Sequence, residues 1–353
     1  MPVPTDLRLD SQDIEERGIL RTPQSGTIAS RIGILLSIYF LEGWRRDKRQ
    51  ALLQILENYL SLFSDKITHF RDTDGRTWLP RSGAGLPESY RSYDTIDPDE
   101  NFSYHMFRFD PQERDDTKLW RIMAHAFPAN RTDRPLSGLK VHFPPGYVLA
   151  DPNGFVELIR LWCRRLGALH GSSGLGVLTE VGRETSLQTP YHYLLLKQYP
   201  ALEYDAMGNY WVEVDADGFE RPRSSNWLTV LGEDNLQALG GIEKVRSSLQ
   251  PNMDLVSYNS GVVIRAGHLP ALGNEETGGI PEAYRTVARL IEPIRFEGYR
   301  WGIIKPPEPL NGLDVTLACP SLRLSRDVKA RRASSALRSA CDKACPESGP
   351  GSP

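Results

Sequence analysis

Seven histidines and four cysteines are the residues of this chain best suited to hold a metal, and their spacing argues against it. His69, His105, His125, His142, His170, His192 and His268 are scattered, and no two stand four apart as on a helix that turns both rings to one ion. Cys341 and Cys345 are close together, but no second pair of ligands lies nearby. With Cys163 and Cys319 they make no disulfide framework in a chain of 353 residues. Gly171-Ser172-Ser173-Gly174 follows His170, yet its glycines miss the G-x-S-x-G spacing of a nucleophile elbow. Gly171, Gly174 and Gly176 also fit neither a dinucleotide fingerprint nor a P-loop. A tight helix-to-strand connection, in which glycines permit positive φ, explains them better. The expectation is a protein without a cofactor that is not an enzyme; an enzyme drawing on His170 is the alternative.

Binding chemistry is better represented. Carboxylates cluster at Asp97, Asp99 and Glu100, at Asp115 and Asp116, at Asp215 and Asp217, and at Glu275 and Glu276. Asp215-Ala216-Asp217-Gly218 begins like a calcium loop, but the twelve-position pattern is not completed. Acidic loops of this kind can pair with Lys and Arg of a basic partner and speed its capture. Trp78, Tyr90 and Tyr93 lie in the polar stretch Asp72–Asn101, where no periodic core claims them. Aromatics beside charges are typical binding anchors, although packing of the loop onto the body explains them as well. The candidate contact residues are therefore Tyr90, Tyr93, Asp94, Asp97, Asp99 and Glu100, with Asp215, Asp217, Glu275 and Glu276 as alternatives.

These loops need a scaffold, and the apolar periodicities supply one. Ile32, Ile34, Leu36, Ile38 and Phe40 alternate as in a strand, and Leu52, Ile55, Leu56, Tyr59 and Phe63 recur as on a helix over about 46–64. A returning strand follows at 67–70. Strands are also expected at 102–109, 120–127, 139–143, 174–181 and 262–266. Asp151-Pro152 and Pro281 open two further helices with a capping carboxylate or an N-terminal proline. Residues 185–198 read as a helix, and Trp211–Val214 with Asp217-Gly218 as a hairpin. Trp227–Leu231 reads as a strand leading into a helix from Asp234, where Gly240-Gly241 marks close packing or a break between two short helices.

The fold class is α+β: mixed sheets with helices packed on them. Strand and helix patterns alternate twice, which suggests two related halves within a domain over 24–310, divided near residue 136. Residues 1–23 read as an arm. Residues 321–353 hold seven basic and three acidic groups and read as a disordered basic tail, which leaves 35 basic against 42 acidic groups in residues 1–320. That acidic body argues against direct nucleic-acid binding. No leader or membrane-length apolar run is visible, so the expected location is the cytoplasm, with no membrane association.

Several stretches, in order, resemble a bacterial family of type VI secretion immunity proteins. They are RIGILLSIYFLEG (31–43), HGSSGLGVLTE (170–180), NWLTVLGEDNLQALGG (226–241), GVVIRAGHLPALGN (261–274) and AYRTVARLIEPIR (283–295). The resemblance implies a cytoplasmic antitoxin that binds a cognate toxic effector, a nuclease in characterised relatives, and supplies no catalytic residues. An effector-loading adaptor, or an enzyme reversing the toxin's damage, are the alternatives.

Overall fold

The computed structural model describes residues 3–71, 77–113, 116–131, 136–181, 188–214, 218–259, 261–274, 279–296 and 304. The tail expected over 321–353 lies outside them.

One antiparallel sheet organises the chain. Its middle strand is β2 (Ile28–Leu41), fourteen residues long and almost wholly buried. On one side β2 pairs with β7 (Leu136–Phe143), followed outward by β6 (Arg121–Ala126), β5 (Phe102–Phe107), β3 (His69–Arg71) and β4 (Trp78–Pro80). On the other side lie β8 (His170–Val177), β9 (Leu228–Gly232), β11 (Gly261–Arg265) and the edge strand β10 (Asp254–Tyr258). A short β1 (Ile19–Arg21) pairs with the start of β2. The sheet runs unbroken through residue 136, because β2 and β7 pair along Ile34–Leu41 and Leu136–Phe143. After the first helix the strands run inward toward β7; after the second they run outward from β2. The two strand–helix patterns thus open alike and then build one sheet in opposite directions.

Alternation along the strands gives the sheet two unlike faces. Ile34, Leu36 and Ile38 of β2 stand opposite Phe143, Val141 and Leu139 of β7, an apolar face. On it lie α2 (Arg46–Phe63) and α4 (Pro152–Leu166). Tyr59 of α2 and Phe155 of α4 both meet the Phe143 ring, at 5.6 and 5.1 Å between centroids. Asp151 caps α4 by accepting from Gly154 N at 2.8 Å, as the sequence predicts for a proline-opened helix, and Gly167 ends it in the left-handed conformation. The opposite face carries Leu35, Ser37 and Tyr39 of β2 beside His142, Lys140 and Gly138 of β7. These positions are buried too, so β7 is covered on both faces, not half-buried as its alternation suggests.

Other expectations change. Residues 11–21, within the expected arm, form α1 (Ser11–Arg17) and β1, with Ile14 and Leu20 in the core. Between β7 and α4 lies a short α3 (Pro145–Ala150). Strand β8 already begins at His170, so the glycine-rich run is strand and not a connection. Its glycines meet crowding rather than positive φ: a Cβ on Gly171 would sit 2.5 Å from the Ser37 carbonyl, and one on Gly174 would sit 2.0 Å from Asn226 Oδ1. Helix α5 spans Thr189–Gln198. The expected hairpin at 211–214 is instead part of α6 (Met207–Glu213), and Asp217 lies outside the described residues. The Gly pair breaks the next helix into α7 (Glu233–Ala238) and α8 (Ile242–Ser247), with φ of 92° at Gly240 and 91° at Gly241. The cap of α7 is Gly232, not Asp234. Helix α9 (Glu282–Leu290) follows Pro281 and buries Tyr284, Val287 and Ala288.

Candidate functional site

The acidic turn at 97–100 is held from beneath by one cation. Arg49 lies on the buried stripe of α2 and is 1% exposed. Its guanidinium donates to three backbone carbonyls: that of Ile96, that of Asp97 at 3.1 Å and that of Glu100 at 2.9 Å. The turn closes on itself through Glu100 N to the Asp97 carbonyl and Asp99 N to Asp97 Oδ1, both 2.9 Å. The carbonyls face the arginine, while the side chains of Asp97, Asp99 and Glu100 stand exposed. Burial pulls the Arg49 pKa below its ordinary value, against the upward pull of Glu100 and Asp97; a guanidinium still stays charged. Three charge-assisted hydrogen bonds from a rigid fork fix the turn before any partner arrives. Trp44, Arg46, Thr95, Ile96 and Pro98 rim a cavity of about 290 Å³ beside it.

The candidate aromatics sit elsewhere. Tyr90 and Tyr93, in 3-10 turns at Glu88–Tyr90 and Tyr93–Thr95, are 0% and 4% exposed. Their rings meet at 4.8 Å, and Tyr93 packs edge-on against Phe102 at 5.1 Å. They root the acidic turn in the core, and its carboxylates face outward. Asp94 is described by its backbone alone, and Asp215, Asp217, Glu275 and Glu276 lie outside the described residues. Trp78 is at the surface, 36% exposed.

Behind the polar face of the sheet lies a closed cluster of charges. Arg223 donates to Glu203 Oε1 at 2.7 Å and lies 3.2 Å from Asp205 Oδ1, with all three side chains at most 1% exposed. Tyr39 donates its hydroxyl to Asp205 Oδ1 at 2.9 Å, and Lys140 donates to the Asp205 carbonyl at 2.8 Å. Two cations and two carboxylates balance, as a buried ionic group requires. His170 lies beside this cluster, 1% exposed, with Nε2 3.1 Å from the Phe219 carbonyl. Burial, opposed by that carbonyl, takes its pKa down to about 3, so the ring is neutral and shut away from solvent. His142 contacts two carbonyls, of Lys118 at 2.9 Å and Thr179 at 3.1 Å. A neutral ring donates to only one of them, yet burial and the nearby Arg121 and Lys140 outweigh this and hold its pKa well below the ordinary value.

Among the described residues, no group of three or more His, Cys, Asp or Glu side chains is placed to hold a metal ion. No helix there is long and apolar enough to cross a membrane. Sequence reasoning missed Arg49 and Arg223. Arg49 is a charged residue within the apolar spacing of α2, and that misplacement was the available signal. Arg223 gave none, since its partners lie about twenty residues away in an irregular segment.

The family model TsiV, described as type VI immunity for VRR-NUC, matches residues 51–301, more than half of the chain, and the chain belongs to that family. The family resemblance read from the ordered stretches is thereby borne out. Among solved structures, the Pseudomonas aeruginosa T6SS protein PA0821 shares the fold with a TM-score of 0.71. That match covers 84% of this chain and 83% of that chain at 19% identity. No curated protein matches the chain.

Proposed function

We propose that this protein binds and neutralises a cognate type VI effector carrying a VRR-NUC nuclease, non-covalently, in the cytoplasm of the producing cell. Membership of the TsiV family is the observation that carries this reading. The acidic turn supports a mode of action. A nuclease that holds nucleic acid presents Lys and Arg, and Asp97, Asp99 and Glu100 on an arginine-pinned backbone offer those groups an ordered anionic partner. The protein acts by occupancy and not by catalysis; His170, the residue on which an enzyme would draw, is closed to any substrate. The partner is the effector, with no direct contact to nucleic acid. Asp215, Asp217, Glu275 and Glu276 extend the candidate surface from the sequence alone.

Co-expression with the effector encoded beside it, read by growth and by tagged pull-down, tests this. Rescue with a stoichiometric complex is expected. Rescue without a complex would favour an enzyme that reverses damage. Lost secretion on deletion, with no self-intoxication, would favour an adaptor.

A further inference from the structure

The polar face of the sheet is closed over β2 and β8 but opens into a cavity of about 210 Å³ over β5 and β6. Its walls combine apolar and hydrogen-bonding groups. Met123 projects from β6, and Met207 and Trp211 come from α6. Helix α6 can lie this close because the strand beneath has Gly138: a Cβ there would sit 2.8 Å from both Met207 Sδ and Trp211 Cζ2. Arg71 at the end of β3 and His105 of β5 supply the donors.

Among the described residues, the charge on Arg71 has no acidic partner. Among the described residues no carboxylate or carbonyl accepts from its guanidinium. Its Nε is sealed from solvent without a partner, and the group lies 5.4 Å from the Trp78 ring. The neighbouring Arg121 differs, since it pairs with Glu180 Oε2 at 3.0 Å. Arg121 also donates to His105 Nε2 at 2.9 Å. With Nε2 accepting, the ring proton of His105 sits on Nδ1 as a neutral donor. Burial, with Arg121 and Arg71 close by, keeps the ring in that neutral form. The exposed hydroxyl of Ser103 lines the same cavity. Among the described lining residues, one cation without an acidic partner and neutral donors suit a single negative charge spread over two oxygens; a phosphate dianion would keep half its charge unmatched. The methionines and Trp211 suit an apolar body behind that charge.

We propose that this cavity is a binding site for a carboxylate with a small apolar or aromatic body, received by Arg71. The carboxylate belongs either to a free organic acid or to a side chain or C-terminus of a protein partner. Benzoate binding there does not depend on effector neutralisation.

The test uses the full chain with 13C-labelled methionine methyls, since Met123 and Met207 are two of only five methionines. Benzoate is expected to shift the Met123 and Met207 signals saturably, while benzyl alcohol and inorganic phosphate bind at least tenfold more weakly. Arg71→Gln should weaken benzoate at least tenfold while the other methionine signals keep their positions, and Arg71→Lys should restore part of the affinity. No shift with benzoate, equal shifts with benzyl alcohol, or undiminished binding in Arg71→Gln would overturn the proposal. Native protein alone decides between benzoate and the alcohol, so a variant that fails to fold leaves the test intact. Effector added to the benzoate-saturated protein distinguishes the sources: competition assigns the carboxylate to the partner, and independent binding assigns it to a free acid.

Discussion

The two faces of the central sheet are buried almost equally but held by different forces. On the helix-covered face, Ile34, Leu36 and Ile38 meet Phe143, Val141 and Leu139 beneath α2 and α4, a contact that is apolar throughout. On the other face Tyr39, Lys140, Asp205, Glu203 and Arg223 form a hydrogen-bonded set with balanced charge. Loss of a methyl group on the first face removes only transfer and packing energy. Loss of one partner on the second leaves a charge without water and without a mate. The apolar face therefore supplies cohesion, and the polar face is intolerant of single substitutions. The apolar face and the part of the polar face over β2 and β8 are closed to a partner. Among the described residues, the acidic turn beyond α2 and the open cavity over β5 and β6 face outward.

The largest stability effect separating the faces is expected at Glu203. Glu203→Gln should cost about 3–5 kcal/mol in denaturant unfolding, because Arg223 loses a buried partner. A loss below about 1 kcal/mol would mean that water enters the cluster. The next effect is acid sensitivity. His170 and His192 are both held at about 3 by burial, and His105 and His142 lie well below their ordinary value. For His170 and His192, between about 3 and about 6.5 the unfolded chain binds protons that the folded chain refuses. Their contribution to stability is therefore complete above about 6.5 and is lost as the pH falls toward 3, at up to ~1.4 kcal/mol per pH unit for each ring. Urea midpoints from pH 7 to pH 4 should fall steadily, and a flat profile would contradict the neutral buried rings. On the apolar face, Ile38→Val should cost only about 0.5–1.5 kcal/mol. The smallest effect belongs to the rim: Asp97→Lys, Asp99→Lys and Glu100→Lys together should change stability by about 0.5 kcal/mol or less. That triple variant should nonetheless lose effector affinity, most strongly at low salt.

Legibility from sequence followed the range of the interactions. Strand β2, α2, α4 and α9 are fixed by periodicity and by Asp151, Pro152 and Pro281 near their ends, and all four stand where expected. The break at Gly240-Gly241 was one of two readings, and positive φ selects it. Helix α6 resembled a strand because Trp211, Val212 and Val214 favour strands locally; tertiary packing of Met207 and Trp211 against Gly138 prevails. Strand β10 was missed because its short sequence carries little alternation and its register comes from β11. At the candidate site, the carboxylates of the acidic turn were legible as a cluster. Their support was not: Arg49 is 48 residues from Asp97 in sequence. Tyr90 and Tyr93 lack a local period because their partners, Phe70 and Phe102, lie on other strands.

Neutralisation by occupancy predicts a fixed stoichiometry, which a titration reads. Nuclease activity of a fixed amount of effector would be measured against increasing amounts of this protein and of the triple charge-reversal variant. Activity should fall to its floor at a fixed stoichiometric ratio with the native protein, and the variant should require a large excess. Full inhibition by a small fraction of an equivalent would contradict binding as the mechanism, and equal potency of the variant would remove the acidic turn from the interface.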